Sequence, residues 1–359
     1  MIFASAAAAH GTPFGGGQEG QVRENRDNAG TRAEAGRVRR RALITAGAAG
    51  AAALATGCGT SDARDTGAGS APGSSSTPAA PGSPSTSPQA TRRRPELPRG
   101  GREIFPEHRL VGYCGLPGAA ALGRLGTGDL DDRVAEIERR ARAYADGRTV
   151  LPVLELLAVV ANSDAGPDGL YRSRTPDATI RTFHEAARDH KALLLLNIQP
   201  GRASPLDEVK ALREWLAEPD VGIALDPEWE MGPGQVPGDT YGHTSGAELT
   251  RTAAYLASLV EEHDLPEKVF VYHQVAESVV QEERRLKVPD GVAVVKSADG
   301  IGSPHLKRET WHRLADTLPP RLHTGFKLFF EEDAEGGGRL MTPDEVLALT
   351  PRPGYVMYE

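Results

Sequence analysis

The segment VGIALDPEWEMGPGQVPG, residues 221–238, begins as an apolar run. It then carries three carboxylates, Asp226, Glu228 and Glu230, at every second position. Carboxylates this close cannot all ionise easily, so one pKa rises and that group becomes an acid usable near neutral pH. Cleavage of a glycosidic bond needs such a protonated carboxyl to assist the leaving oxygen. It also needs a second group to stabilise or attack the oxocarbenium-like centre. Asp226 and Glu228 are the first candidates, and Glu155, within VLELL, or Glu331 is the candidate base across the fold. Sugars also bind to aromatic faces and amide donors. Trp229, Tyr113, Tyr241, Tyr272 and Tyr358 stand near the ends of apolar runs, although aromatics make up only 5% of the chain. Asn197, Gln199 and Gln274 can bond hydroxyls, and His273, Lys296, Asp299 and Lys327 place charge at other run ends.

Two other chemistries fit the same residues. Asp226, Glu228 and His273 could hold a divalent ion for phosphoester or amide hydrolysis, although the chain has no His-x-His and no His-Glu-x-x-His. Alternatively the carboxylates bind hydroxyls without catalysis, in a module for glycans or a partner protein. No Ser nucleophile elbow or phosphate loop occurs, and GLPGAAALG (residues 115–123) lacks the dinucleotide-binding Gly-x-Gly-x-x-Gly spacing, so no cofactor is expected.

The elements that must position these groups alternate. Apolar runs RLVGYCG, TVLPVLELLAVVA, ALLLLNIQPG, VGIALDPEW, KVFVYHQ, GVAVVKSADG, RLHTGFKLFFEED and GYVMYE read as eight strands. Seven helical segments lie between them, among them LDDRVAEIERRARAYADG, with apolar Val134, Ile137, Ala141 and Tyr144, and AESVVQEERRL between strands five and six. Eight such units in about 250 residues predict a (β/α)8 TIM-type barrel over residues 106–359, with the closing helix missing; a doubly wound open sheet is the alternative. Chemistry in such barrels sits at the C-terminal strand ends. Strand alternation puts Gly222, Ala224, Asp226 and Glu228 on one face, the small residues suiting a crowded axis, and it groups Leu195, Asn197 and Gln199, and likewise Gly325, Lys327 and Glu331.

The stretch Gly222-Ile223-Ala224-Leu225-Asp226-Pro227-Glu228 resembles the fourth-strand signature of chitinase-like glycosidases, which ends in a catalytic glutamate. It is also similar to the Asp-x-Glu ending of barrel muramidases. The resemblance implies Glu228 as general acid and Asp226 as its assisting carboxylate. Ala224, Val221 and Pro227 depart from the chitinase pattern.

The rest of the chain is organised differently. A net charge of −8 gives no sign of a nucleic-acid surface. RRRALITAGAAGAAALATGCGTSD has three arginines, a short Ala-rich run and then Cys58, as in a signal peptide. Arg39-Arg40-Arg41-Ala42-Leu43 resembles a twin-arginine export signal, and Leu54-Ala55-Thr56-Gly57-Cys58 resembles a lipobox. These imply export of the folded protein and lipidation at Cys58. Residues 1–58 are therefore expected to form an export region, with residues 1–37 a possible misplaced start ahead of Val38. Residues 59–105 are rich in Ser, Pro, Thr and Gly and are expected to be disordered. Roughly 40 such residues at about 3 Å each could hold a domain on the order of 100 Å from a membrane. The expectation is a monomer on the outer face of the cell membrane, working on a carbohydrate such as cell-wall glycan. Cys114, the other cysteine, reads as a small buried strand residue.

Overall fold

The computed structural model describes residues 94–316 and 318–359. The export region, Cys58 and the tether as far as residue 93 lie outside the described residues. In chain order the barrel elements are β1 (His108–Gly115), α1 (Leu130–Ala141), β2 (Thr149–Ala161), α2 (Asp177–Asp189), β3 (Leu193–Ile198), α3 (Pro205–Ala211) and β4 (Val221–Leu225). There follow α4 (Gly246–His263), β5 (Lys268–Gln274), β6 (Val292–Ala298), α5 (Pro304–Ala315), β7 (His323–Leu328), α6 (Pro343–Leu347) and β8 (Tyr355–Tyr358). Each strand pairs in parallel with the next, and β1 pairs with both β2 and β8, so the sheet closes into an eight-stranded barrel.

The two strand faces divide the apolar residues. Leu110, Leu151, Val153, Leu195, Ala224, Val271, Val295 and Met357 fill the axis. Val111, Leu154, Leu196, Ile223, Phe270, Val294, Phe326 and Val356 face outward to the helices. There they meet Val134 and Ile137 of α1, Ile180 and Phe183 of α2, Leu249 and Leu256 of α4, and Trp311 of α5. Each such side chain contributes on the order of 1.5–3 kcal/mol when fully buried. The axis is crowded: a Cβ on Gly112 would sit 2.1 Å from the Val153 carbonyl oxygen, and one on Gly222 would sit 2.5 Å from that of Val269. Polar caps set the helix starts. The Asp129 side chain accepts from the Asp131 amide at 3.0 Å, and Ser204 accepts from the Asp207 amide at 3.4 Å ahead of α3.

Two features differ from the sequence reading. Residues 94–105, read as the end of the tether, belong to the folded domain. Leu97 and Ile104 are buried and close the axis together with Phe105. The Arg102 guanidinium donates to the Leu265 carbonyl at 2.7 Å, and the Ile104 amide donates to Glu267 at 2.7 Å. Apolar residues in a polar stretch found a place because the open end of the barrel needs a floor.

The helix expected between β5 and β6 is also replaced. The connection is a 3-10 turn at Glu277–Val279, a short strand Val280–Gln281 paired with Thr244–Ser245, and a second 3-10 turn at Glu283–Arg285. Glu282 adopts φ 47°, a left-handed conformation that no α-helix accommodates. The adjacent β-branched Val279 and Val280 favour the extended form over helix.

Candidate active site

The strand β4 ends at Leu225. Asp226 still keeps the ladder, its amide donating to the Ile198 carbonyl at 3.0 Å, and then Pro227–Trp229 turn as a single 3-10 helix. Asp226 therefore points into the barrel as its parity requires. The turn stops that parity from carrying on to Glu228.

The Asp226 carboxylate accepts from two side-chain amides: Asn197 Nδ2 at 3.3 Å and Gln199 Nε2 at 3.1 Å. Gln199 is oriented by the Ala161 amide, which donates to its Oε1 at 3.2 Å. Asn197 Nδ2 also donates to Glu155 Oε1 at 2.9 Å, so one amide nitrogen bridges the two carboxylates. The carbonyl oxygen of Asn197 is buried without a hydrogen-bond partner.

Behind this pair lies a charged network. His273 places Nε2 3.0 Å from Glu155 Oε1 and Nδ1 3.0 Å from Asp299 Oδ2. Both ring nitrogens face carboxylates, so both carry protons and the ring is an imidazolium. Tyr355 donates its hydroxyl to Glu155, and Ser297 donates to Asp299 at 2.8 Å. Lys327 Nζ lies 3.3 Å from Asp299 Oδ2 and 2.6 Å from Glu359 Oε2.

The electrostatics follow from burial. Glu155 and His273 are 0% exposed. Burial opposes the charged His273, but Asp299 and Glu155 outweigh it and hold its pKa well above the usual histidine range. Burial likewise opposes the charge on Asp299 and Glu155, and His273 beside each holds both below the usual carboxylate range. Lys327 is held up by Glu359 against its burial. Asp226 behaves differently. Burial pushes its pKa up, and His273 and Lys327, at greater distance, offset this only in part.

Seven of the residues singled out from the sequence are thus brought together at the C-terminal strand ends: Glu155, Asn197, Gln199, Asp226, His273, Asp299 and Lys327. Others are not. Tyr113 shares the outward parity of Val111; its hydroxyl donates to Glu136 at 3.0 Å and accepts from Arg140 at 2.9 Å. Tyr358 faces outward to the Tyr144 hydroxyl at 2.6 Å. Gln274, next to inward His273, faces the outer side of β5, where it lines a separate cavity. These three residues stand close to the mouth in sequence, but alternation turns them away. Glu228 is buried and Trp229 half-buried on the 3-10 turn. Glu359 was missed, although it shares parity with Tyr355 and Met357.

A narrow cleft opens on this network. It runs from Asp226 and Asn197 to Lys327 and Glu359, past Leu122 and Leu157, and its volume is about 20 Å³. That is room for about one water molecule. Neither Glu228 nor Trp229 lines it. His273 has no lone pair to offer, which removes it from the ligand set of the divalent-ion reading. Among the described residues, one group has metal-ligand spacing, His184, Glu218 and Asp220. It is already engaged: Asp220 accepts from His184 at 3.0 Å and from Arg188 at 3.1 Å, and Glu218 pairs with Arg188.

No protein-family model matches the chain, and no curated protein sequence matches it. Among solved structures the chain is similar to a hyperthermophilic endo-β-1,4-glucanase in complex with substrate, with TM-score 0.35 and 9% identity, over 69% of this chain and 88% of the glucanase. It is also similar to the cellulose synthase subunit Z from Clostridioides difficile, with TM-score 0.33 and 8% identity, over 62% of this chain and 83% of that one.

Proposed function

We propose that the protein is a glycoside hydrolase-like barrel acting on a glycan at its C-terminal mouth, with Asp226 as the proton-donating carboxyl. One observation carries this reading. Asp226 ends a barrel strand at a polar cleft, oriented by two amides and biased by burial toward its protonated form. A carboxyl so biased can protonate a leaving oxygen near neutral pH. Glu155 is the second carboxylate. Asn197 Nδ2, 2.9 Å from Glu155 Oε1 and 3.3 Å from Asp226 Oδ1, couples the two, with Glu155 buried behind Asp226. Glu228, the acid that the sequence resemblance implies, stands two residues on. Entry of a sugar requires the loop carrying Leu122 to move, since the cleft holds only about one water.

The test is release of reducing ends from peptidoglycan, chitin oligomers and α- and β-glucans. Asp226→Asn is expected to cut turnover by about 10²-fold or more while glycan binding persists. Loss in Glu228→Gln with Asp226→Asn unaffected would return the acid role to Glu228. The narrow cleft and its paired cations also support a second reading, a barrel that binds glycan without cleaving it. Binding by a wild type that releases no reducing ends would select that reading.

The segment ahead of the barrel belongs to the same proposal: export by the twin-arginine route and a lipid at Cys58 would hold the domain outside the membrane. Metabolic labelling with a fatty acid should mark the wild type and not Cys58→Ser; equal labelling of both would remove the anchor.

A further inference from the structure

The strands turn mostly apolar or aromatic residues outward toward the helices, among them Tyr113, Leu156, Leu196, Ile223, Leu328 and Val356. On β5 and β6 that pattern gives way to Gln274 and Lys296, which are 2% and 5% exposed. These are the strands whose connection lacks a helix. In the helix's place lies a cavity of about 270 Å³, lined by both residues and by Glu277, Glu283, Arg284 and Arg313. Ligand clefts run from ~300 Å³ upward, so this space suits a small molecule.

We infer that this cavity is a second binding site, for a small hydroxylated carboxylate of the sugar-acid class. Lys296 is fixed at the cavity wall by Glu283, 2.8 Å away, and Glu283 is fixed in turn by the Tyr272 hydroxyl at 2.7 Å; Glu282, also in the lining, is paired with Arg285 at 3.0 Å. A wall this well braced is prearranged, as binding sites are. Arg284 and Arg313 supply two more cations. Arg313 is bonded within the described residues only to the Thr310 hydroxyl, at 3.3 Å, and Arg284 makes no hydrogen bond or ion pair there. Guanidinium groups without a carboxylate partner are suited to take one from a ligand, in bidentate geometry. The Gln274 side-chain oxygen is buried without a hydrogen-bond partner. A buried amide oxygen needs a donor, and Glu277 beside it is a second acceptor. Arginines without a carboxylate partner and an unmet buried acceptor in one lining define the ligand class.

D-glucuronate is the probe, titrated into the full-length chain by calorimetry, with D-glucose as the uncharged control. Saturable binding of glucuronate is expected, about tenfold or more weaker in the Arg284→Gln/Arg313→Gln double variant. Absence of saturable binding by the wild type would overturn the inference. So would equal binding of glucose or full binding by the double variant. Both arginines are exposed, so the double variant should keep its fold, and its circular dichroism spectrum checks that.

Discussion

At the mouth of the barrel each cation lies between two carboxylates: His273 between Glu155 and Asp299, Lys327 between Asp299 and Glu359. Outside β5 and β6 the pairing is incomplete. Arg284 and Arg313 have no carboxylate partner among the described residues, and the Gln274 oxygen is unmet. The mouth is tight, about 20 Å³, whereas the outer cavity is about 270 Å³. Both regions are polar, but for different reasons. Charges at the axis of a closed barrel are far from water and must neutralise one another to be there at all. Charges on the outer cavity keep water or a ligand as their partner and need no internal one. Pairing at the mouth therefore reports stability first, and the incomplete pairing outside reports binding first.

The largest expected effect breaks the pairing at the mouth. His273→Leu leaves Glu155 and Asp299 without their shared cation and should cost about 3–5 kcal/mol in urea unfolding at neutral pH. The wild-type pH profile carries the same signature. The His273 contribution is complete below its unfolded pKa of about 6.5 and is lost as pH rises through its raised folded value. The Asp299 and Glu155 contributions are complete above about pH 4–5 and are lost as pH falls through their lowered folded values. A plateau bounded on both sides is expected, and His273→Leu should lose its alkaline edge. Unchanged stability in that variant would mean that the network contributes little.

A smaller effect is expected at Asp226. A folded pKa raised by burial means that the protonated form is the favoured one. Its stabilisation is complete below about pH 3.9 and is lost as pH rises through the folded value. Asp226→Asn removes the titrating group but sets an NH2 against one of the two amide donors, so its stability should lose the fall that wild type shows between about pH 4 and 7, whatever its absolute level. An inactive variant whose stability has lost that pH dependence is what a catalytic carboxyl of raised pKa predicts; an unchanged pH dependence would remove the raised pKa. The smallest effect belongs to the outer cavity. Arg284→Gln should change unfolding stability by no more than about 0.5 kcal/mol, because no internal partner loses its match. A larger loss would show that the outer cavity, too, is a stability network.

Much of this arrangement was legible before the structure. The alternation of apolar runs and helical segments carried the eight strands, and period-2 parity carried Asp226 as inward and grouped Asn197 with Gln199; Glu155 stood out only as a carboxylate within an apolar run. The same parity could have excluded Tyr113, which follows outward Val111, and Tyr358, which follows outward Val356. It could also have separated His273 from Gln274, since adjacent strand residues cannot share a face. The reach of β4 was overestimated, because Pro227 opens a turn in which Glu228 no longer follows the strand.

What the sequence determined by itself was local: which residues extend, which coil, and which side chains share a face. These follow from backbone sterics and from the spacing of apolar residues within a few positions. What only the tertiary structure decided was non-local. Barrel closure and stagger choose that His273 on β5 meets Glu155 on β2 and Asp299 after β6, and that Asn197 bridges Glu155 to Asp226. Closure also sets how far each carboxylate stands from His273. With all three carboxylates buried, the difference in distance to His273 holds Glu155 and Asp299 ionised and leaves Asp226 biased toward its proton.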